Sequence, residues 1–274
     1  MVYGDNDFAI CEDYFGSMFT TLILTNAVMV AIIAINYILK MVTIMLITWI
    51  RYDTFSEQMS RITNGVFVAL FFNTGILLLL TNANVADVSD WLSGVFSGQF
   101  YDYSPNWYSN VGSVLVSTMY LNAFMPPVYE LIANAQVWLF QRRDNGWKCC
   151  VRDKKEREEL KYVTKSTQIY QYLDLYTNPD HIIHYKYSGL LNVIYVTFMY
   201  GLGLPMLFPI AFASFLIFWL TERWQLAYHY QLPPAMDDKM TINALNWLSY
   251  TPILFLFNGY WMLSNRQMFA NEVN

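Results

Sequence analysis

Ser188–Thr221 reads SGLLNVIYVTFMYGLGLPMLFPIAFASFLIFWLT and carries no charged side chain over 34 positions. As one helix it would run roughly 50 Å at 1.5 Å per residue, against a bilayer core of about 30 Å. The stretch is too long for a single span, and Gly201, Gly203, Pro205 and Pro209 punctuate its middle. Glycine and proline at that density mark a turn. The reading that follows is a helical hairpin with spans at 188–203 and 206–222, turning near Leu204. A second role for Gly201, Gly203 and Pro205 is a hinge in a gating helix.

Working outward, the rest of the chain has the same character. Of 274 residues, 55% are hydrophobic, 18% aromatic and only 14% charged, which argues for a membrane protein. The apolar residues are blocked into runs: Met18–Ile50 holds a single charge, Lys40, and Gly65–Thr81 holds none. Soluble core helices would show a polar face in each run. The expected fold is an all-α polytopic bundle in one transmembrane domain, with about six spans near 18–50, 65–82, 111–140, 188–203, 206–222 and 245–263. Met1–Ser17 reads as a polar lead, Arg51–Asn64 as a short polar connection, and 141–187 as a cytoplasmic linker. No internal repeat or low-complexity segment is evident.

Charge distribution sets the orientation. With Met1 outside, the inner connections collect Arg51, Arg61, Arg142, Arg143, Lys148, Arg152, Lys154, Lys155, Arg157, Lys161, Lys165, Lys186, Arg223 and Lys239, fourteen of the sixteen basic residues. The positive-inside rule is satisfied by this layout and broken if Ser188–Thr221 is merged into one span. Acidic residues gather instead in Met1–Ser17 and Ala83–Asn110. The acidic start has no basic n-region, so no cleavable signal peptide is expected. The basic cluster abuts a span and serves topology, so no nucleic-acid partner is expected.

Function is expected along Thr118–Asn134, TMYLNAFMPPVYELIAN. On a helix Thr118, Asn122, Pro126, Glu130 and Asn134 form one row, since positions four apart share a face. Pro126 and Pro127 lack the N–H groups that would bond the Asn122 and Ala123 carbonyls. Lipid satisfies neither free carbonyls nor a carboxylate, so the row should face other helices or a wet path. Glu130 lies ten residues before the inner end of its span and Lys40 ten before the inner end of its own. Two readings of Lys40 stay open: an ion pair with Glu130 that narrows the path, or a side chain snorkelling to the inner headgroups. Asn36 and Thr43 flank Lys40 as a second polar row, for which packing between helices is the simpler account.

Enzymatic chemistry has little to stand on. His181 and His184 sit in one short cytoplasmic stretch without further ligands and read as a solvated or interfacial segment. Cys11, Cys149 and Cys150 form no disulfide framework or metal site. Cys149 and Cys150 read equally as a palmitoylation site and as ordinary thiols. No phosphate loop, nucleophile elbow, cofactor or metal cluster is expected.

Three stretches carry a family resemblance. Leu190–Tyr230, with the turn Leu204-Pro205-Met206-Leu207-Phe208-Pro209, is similar to a Tyr-containing span, a Pro-Leu-Leu-Leu-Pro-Phe-like turn and an aromatic second span. Phe71-Phe72-Asn73-Thr74 is similar to a Gln-Phe-Ile-Asn span, and Tyr129-Glu130-Leu131-Ile132 to a Gly-Glu-Ile-Leu pore helix. Together they resemble the membrane core of the OSCA family of calcium-permeable, mechanically or osmotically gated channels, related to the TMC proteins and anoctamins. The resemblance implies that the first, third, fourth and fifth spans line an ion path, that Tyr195 faces it, and that Glu130 lies near its inner constriction. Pro126 and Pro127 stand where that family has small residues. Its earlier spans, large cytosolic domain and last spans have no counterpart, which fits either a piece of a longer channel or a reduced relative. The expected partners are membrane lipids, permeating cations and a second copy in a homodimer or larger assembly, with the plasma membrane favoured. A lipid scramblase and a non-catalytic structural subunit of a membrane complex are the alternatives.

Overall fold

In a computed structural model the chain is described over residues 5–50, 52–82, 100, 102–144, 164–231 and 237–264. The side chains of Cys11 and Asn36, and all of Cys149, Cys150, Pro233, Pro234 and Arg266, lie outside the described residues, as does the acidic stretch 83–99. The regular structure of the described residues is all helical, without a strand. Three helical stretches are long and apolar enough to cross a membrane: Phe55–Leu80, Pro105–Asp144 and Leu207–Tyr228.

The elements run in order as α1 (Asp5–Ile50), α2 (Phe55–Phe71), a π-helical segment (Phe72–Leu77) and α3 (Leu78–Asn82). Next come α4 (Pro105–Trp107), a second π-helical segment (Tyr108–Gly112) and α5 (Ser113–Asp144). The chain continues with α6 (Ile169–Tyr176), α7 (Ile183–Tyr200), α8 (Leu207–Tyr228), α9 (Lys239–Leu248) and α10 (Thr251–Ser264). Two compact units result: one of Met1–Asn122, His184–Ala211 and Asp237–Asn274, the other of Ala123–Ile183 and Phe212–Met236.

Several boundaries differ from the expected spans. Most of the expected polar lead is helix, because no proline interrupts Asp5–Met18 and extending an existing helix costs little. The expected connection 51–64 is helical from Phe55. There Thr54 caps the first turn, its hydroxyl oxygen accepting from the Glu57 N–H at 3.3 Å in a Thr-x-x-Glu box. The expected sixth span, 245–263, is two helices, α9 and α10, broken at Ser249 and Tyr250. Pro252 has no N–H to offer the Leu248 carbonyl, and the Thr251 hydroxyl donates to that carbonyl instead, at 2.8 Å. The hairpin is present, with α7 ending at Tyr200 and α8 starting at Leu207.

The core of the first unit is aromatic. Phe67, Leu191, Tyr195 and Ala244 are buried together, with Phe71 and Trp247 packed against them. The Phe67 ring meets Tyr195 edge-on at 4.7 Å and Trp247 at 5.3 Å, the arrangement that ring quadrupoles favour. Around it, Asn64 Oδ1 accepts from Asn243 Nδ2 at 2.6 Å and from Trp247 Nε1 at 3.1 Å, tying α2 to α9.

Candidate functional site

In the first unit, Thr118 and Asn122 occupy consecutive turns of α5. Thr118 Oγ1 and Asn122 Nδ2 are buried and find no hydrogen-bond partner among the described residues. Asn192 Oδ1 and Thr197 Oγ1 on α7 share that condition in the same unit. A buried amide or hydroxyl without a partner costs about 1–3 kcal/mol, so each of these atoms calls for a polar neighbour that the described side chains do not supply. Such groups are stabilised where water or a passing polar species reaches them.

Farther along α5, in the second unit, helix continues through both prolines. The less exposed positions from Ala123 to Asn134 are Ala123, Phe124, Met125, Pro127, Glu130 and Asn134, while Pro126, Val128, Tyr129, Leu131 and Ile132 are exposed. The expected row therefore bends: Pro127 takes the covered position that Pro126 was expected to hold. A row at strict four-residue steps drifts by about 40° per step on a helix of 3.6 residues per turn, and the drift carries Pro126 outward.

Lys40 has a neighbour that the sequence reading did not anticipate. Its ammonium sits 3.4 Å from the centroid of the Tyr185 ring, a cation–π contact. Tyr185 precedes the uncharged run beginning at Ser188. At a nearby level, a methyl added at Gly65 would lie 2.9 Å from Thr43 and Ile47. The last turns of α1 thus run alongside Tyr185 and Gly65, near the starts of the fourth and second expected spans. Lys40 and Glu130 belong to different units. His184, beside Tyr185, is pushed down to about 4, first by burial and then by the Lys40 charge.

Tyr195 is a core residue here. Its ring lies in the aromatic cluster, also 5.2 Å from Phe71, and its hydroxyl donates to the Trp247 carbonyl. Gly201, Gly203 and Pro205 lie in the turn between α7 and α8, where Pro205 is exposed and the two glycines are closely packed. A Cβ at Gly201 would lie 2.5 Å from the Thr197 carbonyl oxygen and 2.6 Å from the Phe208 ring, and one at Gly203 would strike Met262.

Two features escaped the sequence reading. The first is a polar clasp at the end of α7. Asn258 Nδ2 donates to the Met199 carbonyl at 2.6 Å and Asn258 Oδ1 accepts from the Tyr103 hydroxyl at 2.9 Å. The Tyr200 hydroxyl donates to the Gly75 carbonyl, 2.8 Å away in the first π-helical segment. That segment begins at Phe72, inside the quoted Phe-Phe-Asn-Thr motif, and buries Asn73 and Thr74. The second is in the other unit. His181, expected in a solvated or interfacial stretch, is only 7% exposed and pairs through Nε2 with Glu222 Oε2 at 3.2 Å. Tyr230 packs its ring against His181 and donates to Gln225 Oε1 at 2.8 Å. The signal for this cluster was the spacing of Glu222 and Gln225, one turn apart at the polar end of an apolar helix.

Among the described residues, no group of three or more His, Cys, Asp or Glu side chains is placed to hold a metal. Comparison with models of protein families, with curated proteins and with solved structures finds no match to the chain.

Proposed function

We propose that this chain is the core of a multi-pass membrane channel that passes cations and opens under membrane tension. The observation that carries the reading is the pair of buried, unpartnered polar atoms of Thr118 and Asn122 on α5, a helix apolar enough to cross a bilayer. Glu130 and Asn134 lie farther along the same helix and are partly buried. Polar groups at membrane depth are costly unless they face water or a permeant, and Glu130 supplies the charge that favours a cation. Pro126 and Pro127 leave two carbonyls without helical donors, which adds oxygen ligands to the path and weakens the helix where a gate would bend.

The plasma membrane is the favoured location, with Met1 outside, and lipids and permeating cations are the partners. The test is purified protein in liposomes under patch-clamp. Suction should evoke a cation-selective current, and Glu130→Gln should reduce cation over anion preference. Loss of leaflet asymmetry without current would replace the channel with a lipid scramblase. Neither activity would leave a structural subunit.

A further inference from the structure

The inner end of α5 and the short helix α6 enclose an open cavity of about 510 Å³ within the second unit, a size suited to a small polar ligand. Its wall begins with Val137 and Phe140, which continue the exposed apolar side of α5. Arg143 and Lys165 supply two cations and Asp174 a carboxylate, all three exposed. Asp144 also lines it, but its oxygens are engaged: Oδ1 accepts from the Lys165 N–H at 2.8 Å and Oδ2 from the Tyr176 hydroxyl at 3.0 Å. One turn before Arg142, the Trp138 ring lies 4.7 Å from the Arg142 guanidinium, an aromatic–cation pair of the kind found at headgroup level.

We infer that this cavity binds the headgroup of a membrane phospholipid that carries both a phosphate and a primary ammonium, phosphatidylethanolamine. The phosphodiester meets Arg143 and Lys165, which bind it as a bidentate fork and a point charge. The ammonium donates to Asp174, and an acyl chain follows Val137 and Phe140 into the bilayer. Neutrality of the lining decides between lipids. Among the described lining residues two cations and two carboxylates match a zwitterion, whereas an anionic headgroup without an ammonium would leave Asp174 facing like charge. A trimethylated ammonium has no N–H to give Asp174 and would bind less well. The inference rests on α5 crossing the membrane and not on the passage of ions.

The test is native mass spectrometry of the full chain in detergent with phosphatidylethanolamine, phosphatidylcholine and phosphatidylglycerol supplied equally. Phosphatidylethanolamine should be retained roughly fivefold over the others, about 1 kcal/mol of preference. Asp174→Asn should abolish the preference while leaving binding, and Asp174→Glu should restore it. Arg143→Ala with Lys165→Ala should lower retention of all three lipids. Equal or tighter phosphatidylglycerol binding, or a preference that survives Asp174→Asn, overturns the assignment. The preference without stretch current would overturn the channel alone. Current without the preference would overturn only the lipid site.

Discussion

Asn258 shows how much one side chain carries in this chain. It satisfies the Met199 carbonyl, left open where α7 gives way to a turn, and receives the Tyr103 hydroxyl. Asn258→Leu removes the donor to the Met199 carbonyl and the Asn258 acceptor of the Tyr103 hydroxyl in a buried setting, and a stranded buried polar group costs about 1–3 kcal/mol. We predict that the thermal midpoint in detergent falls by several degrees, and that Tyr103→Phe lowers it by less, because it leaves the Met199 bond intact. His184 makes a different prediction. With its folded pKa pushed down to about 4 and the ordinary value near 6.5, the unfolded chain binds the proton first. Stability is therefore complete above the ordinary value and is lost as pH falls from about 6.5 toward 4. After allowance for partial exposure the loss is about 1 kcal/mol. A pH series of unfolding midpoints should show this decline in the parent protein and a flatter profile in His184→Gln. None of these pairings was legible in the sequence, because Asn258, Tyr103 and Met199 meet only through the fold.

Among the elements, the α7–α8 hairpin is the one most fully written in the sequence. Its glycines and prolines announced a turn, and the turn spans Gly201–Met206. What the sequence could not disclose is the enclosure around it. Gly201→Ala places a methyl against backbone and the Phe208 ring and should cost about 1–3 kcal/mol by overpacking. Gly189→Ala, inside helix α7 with nothing within 4 Å of the added methyl, should gain about 0.5–1 kcal/mol. Chemical-denaturant midpoints of the two variants should move in opposite directions. The α9–α10 break is equally legible: Pro252 sits inside the expected span, and its missing N–H is a reason to end a helix. In α5 the prolines leave the secondary structure continuous, so they weaken the helix without ending it. Pro126→Ala returns a donor to the Asn122 carbonyl and should raise the unfolding midpoint while shrinking stretch-evoked current.

At the scale of the whole molecule, apolar surface faces outward. Phe212, Trp219 and Leu220 on α8 and Leu256, Phe257 and Tyr260 on α10 are each at least half exposed. A soluble protein does not leave such surface to water, whereas lipid covers it at no cost. Hydropathy exposed this much of the fold, since it depends on composition within one helix. Pairings between helices were beyond it: a count from Ile50 does not register that Lys40 meets Tyr185. The most direct test of a cation path along α5 is the reversal potential of suction-evoked current in liposomes under a salt gradient. The account predicts a cation-selective potential in the parent protein that Glu130→Gln shifts toward zero. A current whose reversal potential is the same in both proteins would contradict it.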